Sequence, residues 1–181
     1  MLSVGISACL VADQLRYDGR DKKNPSLLAL SGCRVNYVPF CPEVGCGMSV
    51  PREPMQLEGD PQEPRLITVT TRQDKTDLIK IWSKKQISGL EQKNLSGFIF
   101  KNRSPSCGLS KVPVTISSSG PARSRVVGGI GLFAMEVKKH FPQMPMVEED
   151  DLSSYAAIDN FLEMVRVFRD LSSVNGRDDS A

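Results

Sequence analysis

Short β-compatible runs alternate with helical patterns along this chain of 181 residues, and three of the runs end in a loop that carries a cysteine. Leu2 to Ser7 runs into Cys9, Arg34 to Phe40 delivers Cys41, and Ser96 to Phe100 leads into Ser104-Pro105-Ser106-Cys107-Gly108. Alternating strands and helices predict an α/β fold: a single-domain, Rossmann-like three-layer sandwich with a mostly parallel sheet. In such a sheet the carboxyl ends of the strands share one edge, and ligand sites form in the crevice outside it. Thiols far apart in sequence converge there.

The remaining elements follow from local signals. Asn24-Pro25 opens a short helix through Leu30 that ends at Gly32, with proline at the first helical position. Residues 41–54, crowded with Gly and Pro, read as a structured loop or a broken helix start. Leu66 to Thr71 is a predicted strand, and Asp74 caps a helix that carries Leu78, Ile79, Trp82, Ile87 and Leu90 roughly at helical spacing. Ser110 to Arg125 reads as a loop or β-excursion beside the site. Val127 to His140 reads as a helix with Gly128, Gly129 and Gly131 in its start, and Met144 to Val147 as a short strand. Leu152 to Phe168 is amphipathic. The expected organisation is a domain over 1–150, a terminal helix over 151–171 packed on it, and a disordered polar tail over 172–181.

Composition bounds the function. A formal net charge of +2 is too small to argue for nucleic acid, although Lys101, Arg103, Lys111, Arg123 and Arg125 are candidates for a local basic rim. No apolar stretch approaches the roughly 18 residues of a spanning helix, and the start lacks the basic and apolar regions of a signal peptide. The expectation is a cytoplasmic protein with no membrane partner. In a reducing compartment, five cysteines serve as ligands, catalytic groups or buried small residues rather than disulfides. A single histidine, His140, excludes a Ser-His-Asp constellation and an H-E-x-x-H motif.

Cys9, Cys41 and Cys107 are too widely spaced for a compact zinc pattern. Two readings stand: ligands of an iron–sulfur cluster with one iron left free of protein, or inert buried thiols. Cys46 is either a fourth ligand, which would make an electron-transfer or redox-sensing module, or a small residue under the loop. Cys33 reads as structural. Glu43, two residues after Cys41, is a proton-transfer group beside the cluster or a loop glutamate paired with Arg52. Ser104 and Ser106 bond a substrate heteroatom or a cluster sulfide, unless Ser104 is a turn cap. Arg16, Asp18 and Arg52 contact substrate or hold loops through salt bridges. Gly128-Gly-Ile-Gly131 is a weak match to a phosphate-binding turn.

Taken together, Ser7-Ala8-Cys9-Leu10, Arg16-Tyr17-Asp18-Gly19, Cys41-Pro42-Glu43, Pro51-Arg52-Glu53-Pro54 and Ser104-Pro105-Ser106-Cys107-Gly108 resemble the thiouracil desulfidase (TudS-type) family over roughly residues 2 to 150. Phe141 to Phe168 is similar to the longer thiouridine desulfidase members, in which a second domain follows. The resemblance implies a [4Fe–4S] cluster on Cys9, Cys41 and Cys107 with one iron not ligated by protein, catalytic Glu43 and Ser104, and no fourth-ligand role for Cys46. It further implies non-redox replacement of a thiocarbonyl sulfur by oxygen. The substrate is then a small thiolated pyrimidine base or nucleotide, favoured over tRNA. Oligomeric state is left open.

Overall fold

The structure is a computed structural model that describes residues 1–12, 17–18, 24–30, 34–117 and 124–175. Its first sheet is wholly parallel, in the order β2-β1-β5-β8, from β1 (Leu2–Ser7), β2 (Val35–Phe40), β5 (Gly97–Phe100) and β8 (Met146–Glu148). The chain leaves β1 toward one side to make β2 and later returns on the other side to make β5. This reversal opens a crevice at the carboxyl ends of β1 and β5. Register fixes the level of that edge: Ser7 pairs with Phe40, Ile6 with Ile99, and Phe100 with Glu148.

Alternation within the strands builds the layers. Leu2, Val4 and Ile6 face α1 (Pro25–Leu30) and α5 (Tyr155–Asn175), where they pack with Leu27, Phe161, Leu162 and Val165. Phe40, Phe98 and Phe100 face the other way onto α3 (Thr76–Leu90) and α4 (Leu132–His140), around Phe133. The expected three-layer α/β sandwich is therefore present. Local caps are as the sequence predicts: Asn24 Oδ1 accepts from the Ser26 and Leu27 N–H groups, and Asp74 Oδ1 accepts from Thr76 N–H.

A second sheet, which local sequence signals do not reveal as a sheet, lies on the far side of α3 and α4. Its order is β4-β3-β6-β7, from β3 (Met55–Asp60), β4 (Glu63–Thr68), β6 (Val112–Ser117) and β7 (Ser124–Gly129). Leu57, Leu66, Val112 and Val114 pack from it onto Ile79 and Leu132. β3 was hidden because Met55-Gln-Leu-Glu-Gly-Asp shows one buried residue among charged and polar ones. The β-excursion after Ser110 is the β6–β7 hairpin. The helix expected from Val127 starts instead at Leu132, because Gly128 and Gly129 belong to β7. Helix α5 continues through Asn175, past the expected tail boundary.

Candidate active site

All three strand-end loops empty into one cavity of about 430 Å³, lined by Cys9, Cys41, Cys107, Glu43 and Ser104 among others. Cys9 sits in a 3₁₀ turn (Ala8–Leu10) directly after β1. Cys41 precedes a single helical turn, α2 (Pro42–Gly45), so the Val44 and Glu43 N–H groups bond its sulfur. Cys107 follows β5 in the 101–110 loop and is buried, and Ser7 at the end of β1 bonds its sulfur. Burial pushes the Cys9 thiol up to about 12, and it raises the Cys41 and Cys107 thiols as well. Cys41 raises both other thiols further, because like charges share the cavity. Three thiolates at this edge require a cationic group among them. Among the described residues no three Cys, His, Asp or Glu side chains are grouped for a single metal ion. A donor set of three soft sulfurs spread around one cavity fits a multi-iron cluster.

Cys46 stands apart. It does not line the cavity; its Sγ donates to the Glu43 carbonyl at 3.2 Å, and it packs with Met48 and Met55 against the second sheet. The four described cysteines are all free, and Cys33 lies outside the described residues.

Glu43 is held from both sides. Arg52 donates to its Oε2 from Nε at 2.6 Å and from Nη2 at 2.5 Å, and the Ser106 hydroxyl donates to Oε1 at 2.8 Å. The Glu43 and Arg52 side chains are only 13% and 8% exposed, so this is a nearly buried ion pair rather than a surface one. Oε2 is thus bonded twice, whereas Oε1, bonded once, keeps a second lone pair free. The structure thus joins two alternatives from the sequence, since Glu43 is paired with Arg52 and still lines the cavity. Ser106 is fully buried and not a lining residue; its hydroxyl serves Glu43.

Ser104 also combines two readings. Its Oγ accepts from the Ser106 N–H at 3.3 Å and the Cys107 N–H at 3.1 Å, which makes it the turn cap of the cysteine loop. With its acceptor sites so used, its own O–H is left to donate into the cavity it lines.

The loop is seated on the start of α4. Gly131, Leu132 and Phe133 donate their N–H groups to the carbonyls of Gly108, Pro105 and Ser106, at 2.7, 3.1 and 2.9 Å. These are the orphan donors of a helix N-terminus, and the loop satisfies them in place of a phosphate. A Cβ on Gly131 would lie 2.6 Å from the Ser106 carbonyl carbon and 2.7 Å from the Cys107 nitrogen, so the close approach demands glycine. The glycine run therefore has a packing role at this point.

Several residues were missed. Lys101, read as a possible basic rim, is paired with buried Glu149, whose other oxygen accepts from Asn102 N–H at 2.5 Å. Glu148 accepts from the Leu109 and Ser110 N–H groups at 2.8 and 3.1 Å. Glu148 at the end of β8 and Glu149 just after it thus clasp the two ends of the cysteine loop. The only signal of this clasp in sequence was Glu148-Glu149-Asp150-Asp151 directly after a strand. Asp18 is half-buried and does not line the cavity, whereas its neighbour Tyr17 does; Arg16 lies outside the described residues.

The family model described as 2-thiouracil desulfurase matches residues 4–149. The chain belongs to the 2-thiouracil desulfurase family. Every cavity residue named above, the three thiols included, lies within the matched stretch. The protein YbbK of Bacillus subtilis (strain 168) is 32% identical over 139 residues, 74% of this chain and 88% of that protein. A solved structure, the [4Fe–4S]-dependent thiouracil desulfidase TudS, superposes with a TM-score of 0.66 at 24% identity. The superposition covers 88% of this chain and 99% of that one, and it shows a shared fold. No helix among the described residues is long and apolar enough to cross a membrane.

Proposed function

We propose that the chain is a [4Fe–4S]-dependent desulfidase that exchanges the thiocarbonyl sulfur of a thiolated uracil base or nucleotide for oxygen, by hydrolysis and without redox change. The observation that carries this reading is the convergence of Cys9, Cys41, Cys107 and Glu43 on one cavity within a chain of the 2-thiouracil desulfurase family. Cys9, Cys41 and Cys107 would hold the cluster, and Cys46, turned toward the second sheet, would leave one iron without a protein ligand. When bound, the cluster supplies a thiophilic Lewis acid that distinguishes sulfur from oxygen.

The protein groups supply the proton chemistry. Glu43, fixed by Arg52 and Ser106, uses a free lone pair to orient a water and take its proton as the oxygen attacks the ring carbon bearing sulfur. Ser104 directs its O–H at the exocyclic atom of the substrate and steadies the charge that develops there. One water enters, the carbon–sulfur bond breaks, and the balance is thiocarbonyl plus water to carbonyl plus hydrogen sulfide, with no external electron. A cavity of about 430 Å³ falls in the range of small-ligand pockets, roughly 300–1,000 Å³, which favours a base or nucleotide over tRNA. Free thiols suit a reducing cytoplasm.

Anaerobic reconstitution with iron and sulfide, followed by assay of 2-thiouracil, 4-thiouracil, thio-UMP and thiouridine-containing tRNA, tests the proposal. The expected result is a brown protein that releases one sulfide per small substrate and takes one oxygen from labelled water, retained in Cys46→Ser and lost in Cys9→Ala. Turnover by iron-free Cys9→Ala, or loss of the cluster in Cys46→Ser, overturns it.

A further inference from the structure

We infer that Tyr17 is the wall on which the planar ring of the substrate stacks, and so a substrate-positioning residue of the site; this rests on the base-desulfidase reading above. A flat heterocycle presented to the thiol edge needs a flat apolar surface. Among the described residues two aromatic residues line the cavity, Phe40 and Tyr17. Phe40 is 4% exposed, and its ring is committed to the core, with centroids 5.6 Å from Phe98 and 6.0 Å from Phe133. Tyr17 is 42% exposed and has surface to offer.

Its place is fixed by the residue that fixes the carboxylate. The Arg52 N–H donates to the Tyr17 carbonyl at 2.9 Å, while the Arg52 guanidinium holds Glu43. The ring wall and the proton-transfer group are thus set from a single residue. Pro42, Pro54, Met55 and Pro105 add apolar lining to the same cavity. Stacking on an aromatic face is indifferent to exocyclic atoms, because every base has a π-face. Tyr17 therefore holds substrate and product alike, and discrimination of sulfur is left to the other side of the cavity.

The experiment uses the reconstituted protein and its Tyr17→Phe, Tyr17→Leu and Tyr17→Ala variants. It measures iron content, the dissociation constant for uracil by calorimetry, and kcat and KM for 2- and 4-thiouracil. Tyr17→Phe is expected to stay within about twofold of wild type, since the face is kept. Tyr17→Ala is expected to weaken uracil and raise both KM values by roughly tenfold or more, with iron content and kcat retained. Tyr17→Leu, which keeps bulk but no π-face, should fall with alanine and guards against collapse of the wall. Unchanged uracil affinity in Tyr17→Ala and Tyr17→Leu overturns the inference, as does a loss confined to kcat or a Tyr17→Phe as weak as alanine. A wild-type protein that binds no uracil and consumes no thiobase overturns the base reading, and this inference with it.

Discussion

Glu43 meets two donors of different kind, and the difference matters for what each contributes. Arg52 is a nearly buried cation whose removal leaves a carboxylate unpaired, so its loss costs folding as well as function. Ser106 is a neutral donor whose hydroxyl orients one oxygen of the carboxylate. Hydrogen bonds to charged groups contribute about 1.5–3 kcal/mol, so Ser106→Ala should lower kcat by roughly ten- to a hundredfold with KM nearly unchanged. Steady-state kinetics with a parallel thermal melt check this; a variant that melts like wild type yet keeps its kcat would remove Ser106 from the positioning of Glu43. Cys41-Pro42-Glu43 made the carboxylate legible in sequence. Its partner Ser106 was legible only as a polar residue near a cysteine, since the contact spans two loops.

At the scale of elements, the parallel sheet was readable because its strands are short apolar runs that end in Gly, Pro and Ser. The second sheet was not, because β3 and β7 are half-exposed and carry polar or glycine residues where a strand signal would be sought. The 128–131 glycines read in sequence as the start of the helix to His140, whereas two of them extend β7 and Gly131 makes room for the cysteine loop. Gly131→Ala should push that loop off α4. The expected cost is about 1–3 kcal/mol of stability, together with reduced iron uptake on reconstitution. Gly89→Ala is the matched control: nothing lies within 4 Å of its Cβ, and α3 should gain from the better helix former. Melting temperature and iron per chain for the pair decide the matter, and equal iron uptake in both would show that the loop tolerates displacement.

Across the whole molecule, the α3–α4 layer is shared by two sheets, while the thiols belong to only one edge of one of them. A group that binds all three thiols ties the ends of β1, β2 and β5 together and stabilises only the folded chain. Anaerobic loading should raise the melting temperature by several degrees, at roughly 2–4 °C per kcal/mol for a domain of this size. Prior alkylation of the thiols should abolish the rise, and an unchanged melt on loading would place the iron elsewhere. The clasp formed by Glu148 and Glu149 adds an order of events. More than half the chain separates Cys9 from Cys107, and the acids that seat the last cysteine loop come later still. During synthesis the nascent protein therefore has no finished socket until β8 has emerged and docked, so acquisition of the metal group marks a chain that has completed its fold.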